Sequence, residues 1–113
     1  MHQETLAVEV KAGKSEGTRI VSVTGPLLLN NFFTLKAELE KEHTPVTIID
    51  LTEVEYMDSA GMGAIFNYYV SSQRRGHKLR VAGANYRVVE LFKLTHADSL
   101  IPMTATVAEA ENL

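Results

Sequence analysis

The residues of this chain with the most chemical promise are Asp58 and Ser59, which open the run Asp58-Ser59-Ala60-Gly61. They stand between an apolar stretch, Val46-Thr47-Ile48-Ile49-Asp50-Leu51, and a segment of helical periodicity over residues 62–75. That order puts a carboxylate and a hydroxyl where a strand hands over to a helix. The first turn of a helix carries unpaired backbone N–H groups and the positive end of the helix dipole. A short polar side chain there caps the helix and is also open to reagents. Two readings follow. In one, Asp58 or Ser59 is only a cap, and Gly61 and Gly63 let the helix pack closely on the sheet. In the other, Ser59 is a modifiable hydroxyl whose surroundings one phosphate would transform.

Catalysis by Ser59 would need a base within hydrogen-bond reach and an oxyanion site. The chain has no Gly-x-Ser-x-Gly elbow, and none of His2, His43, His77 and His96 is placed beside Ser59 by sequence. All four read as surface or loop residues, so no enzymatic activity is expected. Glu38, Glu40 and Glu42 share no helix face with a second histidine, and Glu53, Glu55 and Asp58 lack calcium-loop spacing. Gly61 and Gly63 lack the third glycine of a dinucleotide fingerprint. With no cysteine in the chain, disulfides and thiolate chemistry are excluded. Neither a metal nor a cofactor is expected.

A net charge of -3 supplies no field to attract nucleic acid. The one basic cluster, Arg74, Arg75, Lys78 and Arg80, reads as the cation-favouring end of a helix, with Gly76 as a left-handed cap. Residues 1–5 lack the basic start and apolar stretch of a secretory signal, and no apolar run approaches the roughly 18 residues of a membrane span. Cytoplasmic residence without membrane insertion is the expectation.

The elements that must position Asp58 and Ser59 follow from periodicity. The length of 113 residues fits one domain over residues 1–113. Leu6, Val8 and Val10 alternate with polar or small residues, as do the apolar positions from Ile20 to Val23. Residues 13–17 between them predict a turn joining two antiparallel strands, and Gly25-Pro26 ends the second. Leu28, Phe32, Leu35 and Leu39 recur at helical spacing, predicting a helix over residues 31–42 with Asn30 or Asn31 as N-cap. Residues 45–51 have the β-branched, nearly all-apolar composition of a central strand covered on both faces. Met62, Ile65, Phe66, Tyr69 and Val70 form a wide stripe that predicts the packing face of the next helix. A strand over residues 78–82, a helix over 85–94, a short strand over 100–104 and a helix from 107 complete an α/β chain. Strands alternating with helices from Pro45 onward imply a parallel sheet.

Leu27, Leu28 and Leu29 cannot all point inward from a short loop. Either two are core and one covers a helix end, or they form a docking patch near Ser59.

The strand run followed by Tyr56-Met57-Asp58-Ser59-Ala60-Gly61-Met62-Gly63 resembles the signature of the STAS family of anti-sigma factor antagonists. The segment Gly83-Ala84-Asn85-Tyr86-Arg87-Val88-Val89-Glu90-Leu91-Phe92-Lys93-Leu94-Thr95 is similar to that family's third-helix region. The resemblance spans nearly the whole chain. It implies a STAS-like mixed sheet, antiparallel at the N-terminal strand and largely parallel beyond, flanked by about four helices. It also implies a bacterial, non-enzymatic switch protein that binds an anti-sigma factor with serine-kinase activity and so frees a sigma factor. Ser59 would be the phosphoacceptor, a serine phosphatase would restore it, and Leu27, Leu28, Leu29, Asn30, Asp58, Ser59, Gly61 and Met62 would meet the partner. The chain departs from many relatives in carrying Leu28 where they have an acidic residue in the loop after the second strand. That departure points to a second role with the same fold: a non-phosphorylated scaffold or sensor component, self-associating as a homodimer, or a ligand-binding accessory subunit of a transporter.

Overall fold

The computed structural model describes residues 5–113. Five strands form one mixed sheet in chain order: β1 (Ala7–Ala12), β2 (Thr18–Thr24), β3 (Val46–Glu53), β4 (Lys78–Ala82) and β5 (Met103–Thr104). Only β1 runs antiparallel to its neighbour, and every other pair is parallel. Among the described residues four α-helices accompany them: α1 (Phe32–Lys41), α2 (Ser59–Arg74), α3 (Tyr86–Leu94) and, after the last strand, α4 (Val107–Glu111). This is the mixed sheet and helix complement that the residue pattern predicts, with β3 at its centre. None of these helices is long and apolar enough to cross a membrane.

Side chains alternate across a pleated strand, so each strand feeds two layers. Val21, Val23, Ile49, Leu51, Leu79 and Val81 join Leu35, Leu39, Ile65, Val88 and Phe92 in the main core under α1, α2 and α3. Ile20, Ile48 and Ala82 point the other way and meet Ala110 and Val107 of α4. A short helix thus covers the second face, where mostly small and β-branched side chains need cover.

Two elements, α2 and the last strand, differ from expectation, each for a local reason. Helix α2 starts at Ser59 rather than near Met62, because Asp58 caps it. Its buried face is centred on Gly61, Ile65, Tyr68 and Ser72, while Phe66 and Tyr69 are half-buried and Val70 is exposed. Small residues let α2 approach the sheet on a face that a count of large apolar residues overlooks. The last strand is only Met103–Thr104, since the amides of Leu100 and Ile101 turn back to the Ala97 carbonyl at 3.0 and 2.9 Å.

A buried cation accounts for the polar side of that face. Arg19 is only 4% exposed. Its Nε donates to Thr47 Oγ1 at 2.9 Å, and its Nη2 donates to the Leu39 carbonyl at 2.9 Å and to Tyr68 Oη at 2.8 Å. The guanidinium also lies 5.7 Å from the centre of the Tyr68 ring. Its charge therefore sits against a carbonyl in the last turn of α1, where the helix dipole favours a cation. Burial pushes the Tyr68 phenol up, but the Thr47 hydroxyl and the Arg19 charge prevail and hold it below its ordinary value. This cluster joins β2, β3, α1 and α2 at one point. Replacing Arg19 with Met strands the Leu39 carbonyl and leaves the Thr47 and Tyr68 hydroxyls, 3.3 Å apart, only each other, so urea unfolding should show a loss of about 2 to 4 kcal/mol. Arg19→Lys should recover little of it, because one ammonium cannot span the geometry of the fork.

Candidate functional site

Because β2 and β3 are parallel neighbours, the loops that leave their C-terminal ends emerge side by side. The Gly25 amide donates to the Glu53 carbonyl at 3.0 Å, and the Leu27 amide to the Tyr56 carbonyl at 3.1 Å. The Asp58 amide returns a bond to the Leu27 carbonyl at 3.2 Å, so Leu27 and Met57 form an isolated parallel bridge. The two loops are in effect zipped as a continuation of the sheet.

Asp58 completes the join. Its Oδ1 accepts from the amides of Ala60 and Gly61, both at 3.0 Å, while its Oδ2 accepts from the Leu29 amide at 2.9 Å. One carboxylate thus caps α2 and holds the neighbouring loop. Partial burial pushes its pKa up, but the amides of Gly61, Leu29, Ala60 and Asp58 itself outweigh that and hold the carboxyl below its ordinary 3.8. Asn31 secures the other side of the loop: its Oδ1 accepts from the Leu28 amide at 2.8 Å and its Nδ2 donates to the Pro26 carbonyl at 2.9 Å. Asn31 therefore occupies the N-cap position of α1 without its side chain capping that helix.

Ser59 is the first residue of α2 and is exposed. Asp58 takes up the next two amides and the Met62 amide bonds the Asp58 carbonyl at 3.0 Å. Beside Ser59 opens a cleft of about 240 Å³ lined by Ser59, Met62, Gly63, Phe66 and Thr95. Among the described residues, no histidine lines this cleft.

The expected contact residues divide into a surface and its support. Leu29 is 67% exposed, and Asn30 and Ser59 are exposed. Leu28 and Asp58 are half-buried. In place of an expected surface contact, Leu27 is completely buried, inserted into the core where its loop joins residue 57. Gly61 and Met62 are buried as well, turned toward the sheet by the start of α2 at Ser59, although Met62 still floors the cleft. Phe33, exposed on α1 and stacked on Phe32 with ring centres 4.1 Å apart, adds an apolar surface that sequence reasoning missed. Its signal was an extra large residue outside the helical stripe.

Gly61 is required by the approach of Leu27. A Cβ at position 61 would stand 2.6 Å from the Leu27 carbonyl oxygen, whereas one at Gly63 would meet nothing within 4 Å. Gly61→Ala should therefore cost about 1 to 3 kcal/mol by thermal or urea unfolding, and Gly63→Ala should be neutral or stabilising by up to about 1 kcal/mol. Asp58→Ala should cost about 1 to 2 kcal/mol near neutral pH through loss of the cap. Since the folded-state pKa of Asp58 is lowered, its charge contributes stability above the ordinary value of 3.8 and loses it as pH falls through the lowered one. The stability gap between wild type and Asp58→Ala should accordingly shrink as unfolding is followed into acid.

Comparison with known proteins agrees with this architecture. The anti-sigma-B factor antagonist of Listeria monocytogenes is 40% identical over 53 residues, a match covering 47% of this chain and 46% of that protein. The chain is thus matched to about half the length of that relative. The crystal structure of an anti-sigma factor antagonist from Mycobacterium paratuberculosis superposes with a TM-score of 0.84 at 21% identity, covering 96% of this chain and 92% of that one. The Bacillus cell fate determinant SpoIIAA in its phosphorylated form superposes with a TM-score of 0.75 at 15% identity, covering 94% and 97% of the two chains. The STAS domain model matches residues 9–110, across all five strands and four helices described above, and the chain belongs to the STAS domain family.

Proposed function

We propose that this protein is an anti-sigma factor antagonist, a binding module switched by phosphorylation of Ser59. In this reading it docks on an anti-sigma factor with serine-kinase activity when Ser59 is free, releasing a sigma factor, and a serine phosphatase restores the free form. The reading is supported by the names of its relatives and by one feature of the site. The Ser59 hydroxyl is exposed at the start of a 16-residue helix, while the adjacent Asp58 carboxylate is turned to backbone amides. The free surface around it, formed by Leu29, Asn30 and the cleft floored by Met62, is mostly apolar or neutral.

Phosphorylation adds about -1.5 to -2 charges and three acceptor oxygens at that point. The positive end of the helix tolerates the charge in water, so the fold persists. Under a partner, the same group is a hydrated dianion beside a second carboxylate, and burying it costs several kcal/mol unless the partner brings cations. Every 1.4 kcal/mol is about tenfold in affinity, so part of that cost is enough to release the complex. Leu28 contributes no charge to this loop.

Calorimetric titration against the cognate anti-sigma factor tests the reading. Ser59→Ala should bind like the unmodified protein, and Ser59→Asp at least about tenfold more weakly. Equal affinities reject the switch. Incubation with kinase and ATP, followed by intact mass, should add one phosphoryl group that Ser59→Ala lacks; no addition would favour the scaffold role instead.

A further inference from the structure

We infer that strand β1 is a self-complementary edge through which two copies of this chain join their sheets, antiparallel and on a two-fold axis at Val10. The strand lies at the end of the sheet, and among the described residues no strand pairs with its outer side. Ala7, Glu9, Val10, Lys11 and Ala12 are exposed, with Val10 at 43%. Such an edge presents a row of unpaired backbone groups to another chain.

The backbone dictates which residues of β1 face outward. Gly13 donates to the carbonyl of its cross-strand partner Thr18 at 2.8 Å, in the same register that pairs Lys11 with Ile20 and Glu9 with Ser22. Bonded and non-bonded pairs alternate along an antiparallel ladder. Lys11, Glu9 and Ala7 therefore bond to β2, and the N–H and C=O groups of Val8, Val10 and Ala12 point away from the sheet. A second copy can bond this edge only in a register that brings those three residues opposite one another.

The charges select among such registers. Placing Val10 on the axis sets Val8 opposite Ala12 and Glu9 opposite Lys11, each twice by symmetry. The Glu9 and Lys11 pairs then fall at the non-bonded positions, where side chains approach most closely. Shifting by one step either way puts Glu9 against Glu9 or Lys11 against Lys11 on the axis, which like-charge repulsion opposes. Both residues are exposed, and among the described residues neither has an ion-pair partner within the monomer. The two-fold arrangement is isologous, so it closes at a dimer and does not propagate into a fibre.

Sedimentation velocity over a concentration series, paired with circular dichroism to check folding, tests the assignment independently of any anti-sigma partner. The wild type should show a concentration-dependent monomer–dimer equilibrium. Val10→Pro should remain folded, because the lost N–H points outward and proline is tolerated on such an edge, and should be monomeric. Glu9→Lys and Lys11→Glu should each weaken self-association about tenfold or more. An equimolar mixture of these two variants should regain dimer, since each then meets the opposite charge. A wild type that stays monomeric up to about 1 mM, a weak association by any measure, overturns the inference. So does a dimer indifferent to both the proline and the charge variants.

Discussion

The arrangement of the site depends on one carboxylate dividing its two oxygens between two loops. Asp58 Oδ1 takes the first-turn amides of α2, and Oδ2 takes the Leu29 amide of the preceding loop. Each bond is to a charged acceptor, the stronger class of hydrogen bond. Removing either function would leave a helix start or a loop free to move relative to the other. With both in place, Ser59 is held at a defined point between Leu29 on one side and the Met62 cleft on the other. Asp58 is thus more than a cap.

The constraint works because the sheet delivers the two loops to the same edge. Parallel pairing of β2 with β3 is extended past the strands by the bonds from Gly25 to Glu53 and from Leu27 to Tyr56. Leu27 then enters the core, and its carbonyl approaches α2 so closely that only glycine fits at position 61. The helix cap, the buried leucine and the glycine therefore form one mechanical unit, in which a side chain larger than hydrogen at Gly61 would push on the same loop that Asp58 holds. At the opposite end of α1, Arg19 plays a comparable part by placing a cation from β2 against the Leu39 carbonyl. Both devices use a charge from one element to finish the backbone bonding of another.

What the sequence made legible was local. The β-branched run before Asp58 announced the central strand, and Gly76 at φ +72° closed α2 as its type suggested. What it hid was contact across long sequence separations. Leu27, Leu28 and Leu29 have one composition and three fates, because burial there depends on a bridge to Met57 thirty residues away rather than on period. Tyr68 outranks Tyr69 in the core because a buried arginine on β2 needs its hydroxyl, and no helical count registers that need. Asn31 satisfied the residue-type rule for an N-cap, yet its amide was more useful across the loop before the helix.

The same long-range bonding explains why a change at Ser59 should act by surface charge rather than by refolding. Asp58 has its oxygens on backbone amides, and Gly61 is packed against the Leu27 carbonyl, without help from the Ser59 hydroxyl. Ser59 itself carries none of the bonds that define the site and lies outside the core that Leu27, Met62 and Ile65 share. A phosphoryl group there would meet solvent and the positive end of α2, neither of which strains the fold. Its cost appears only when another molecule removes that solvent. The proposed switch would need a rigid platform, since a loop that yielded to the new charge would let a partner adapt, and the shared carboxylate of Asp58 would supply that rigidity.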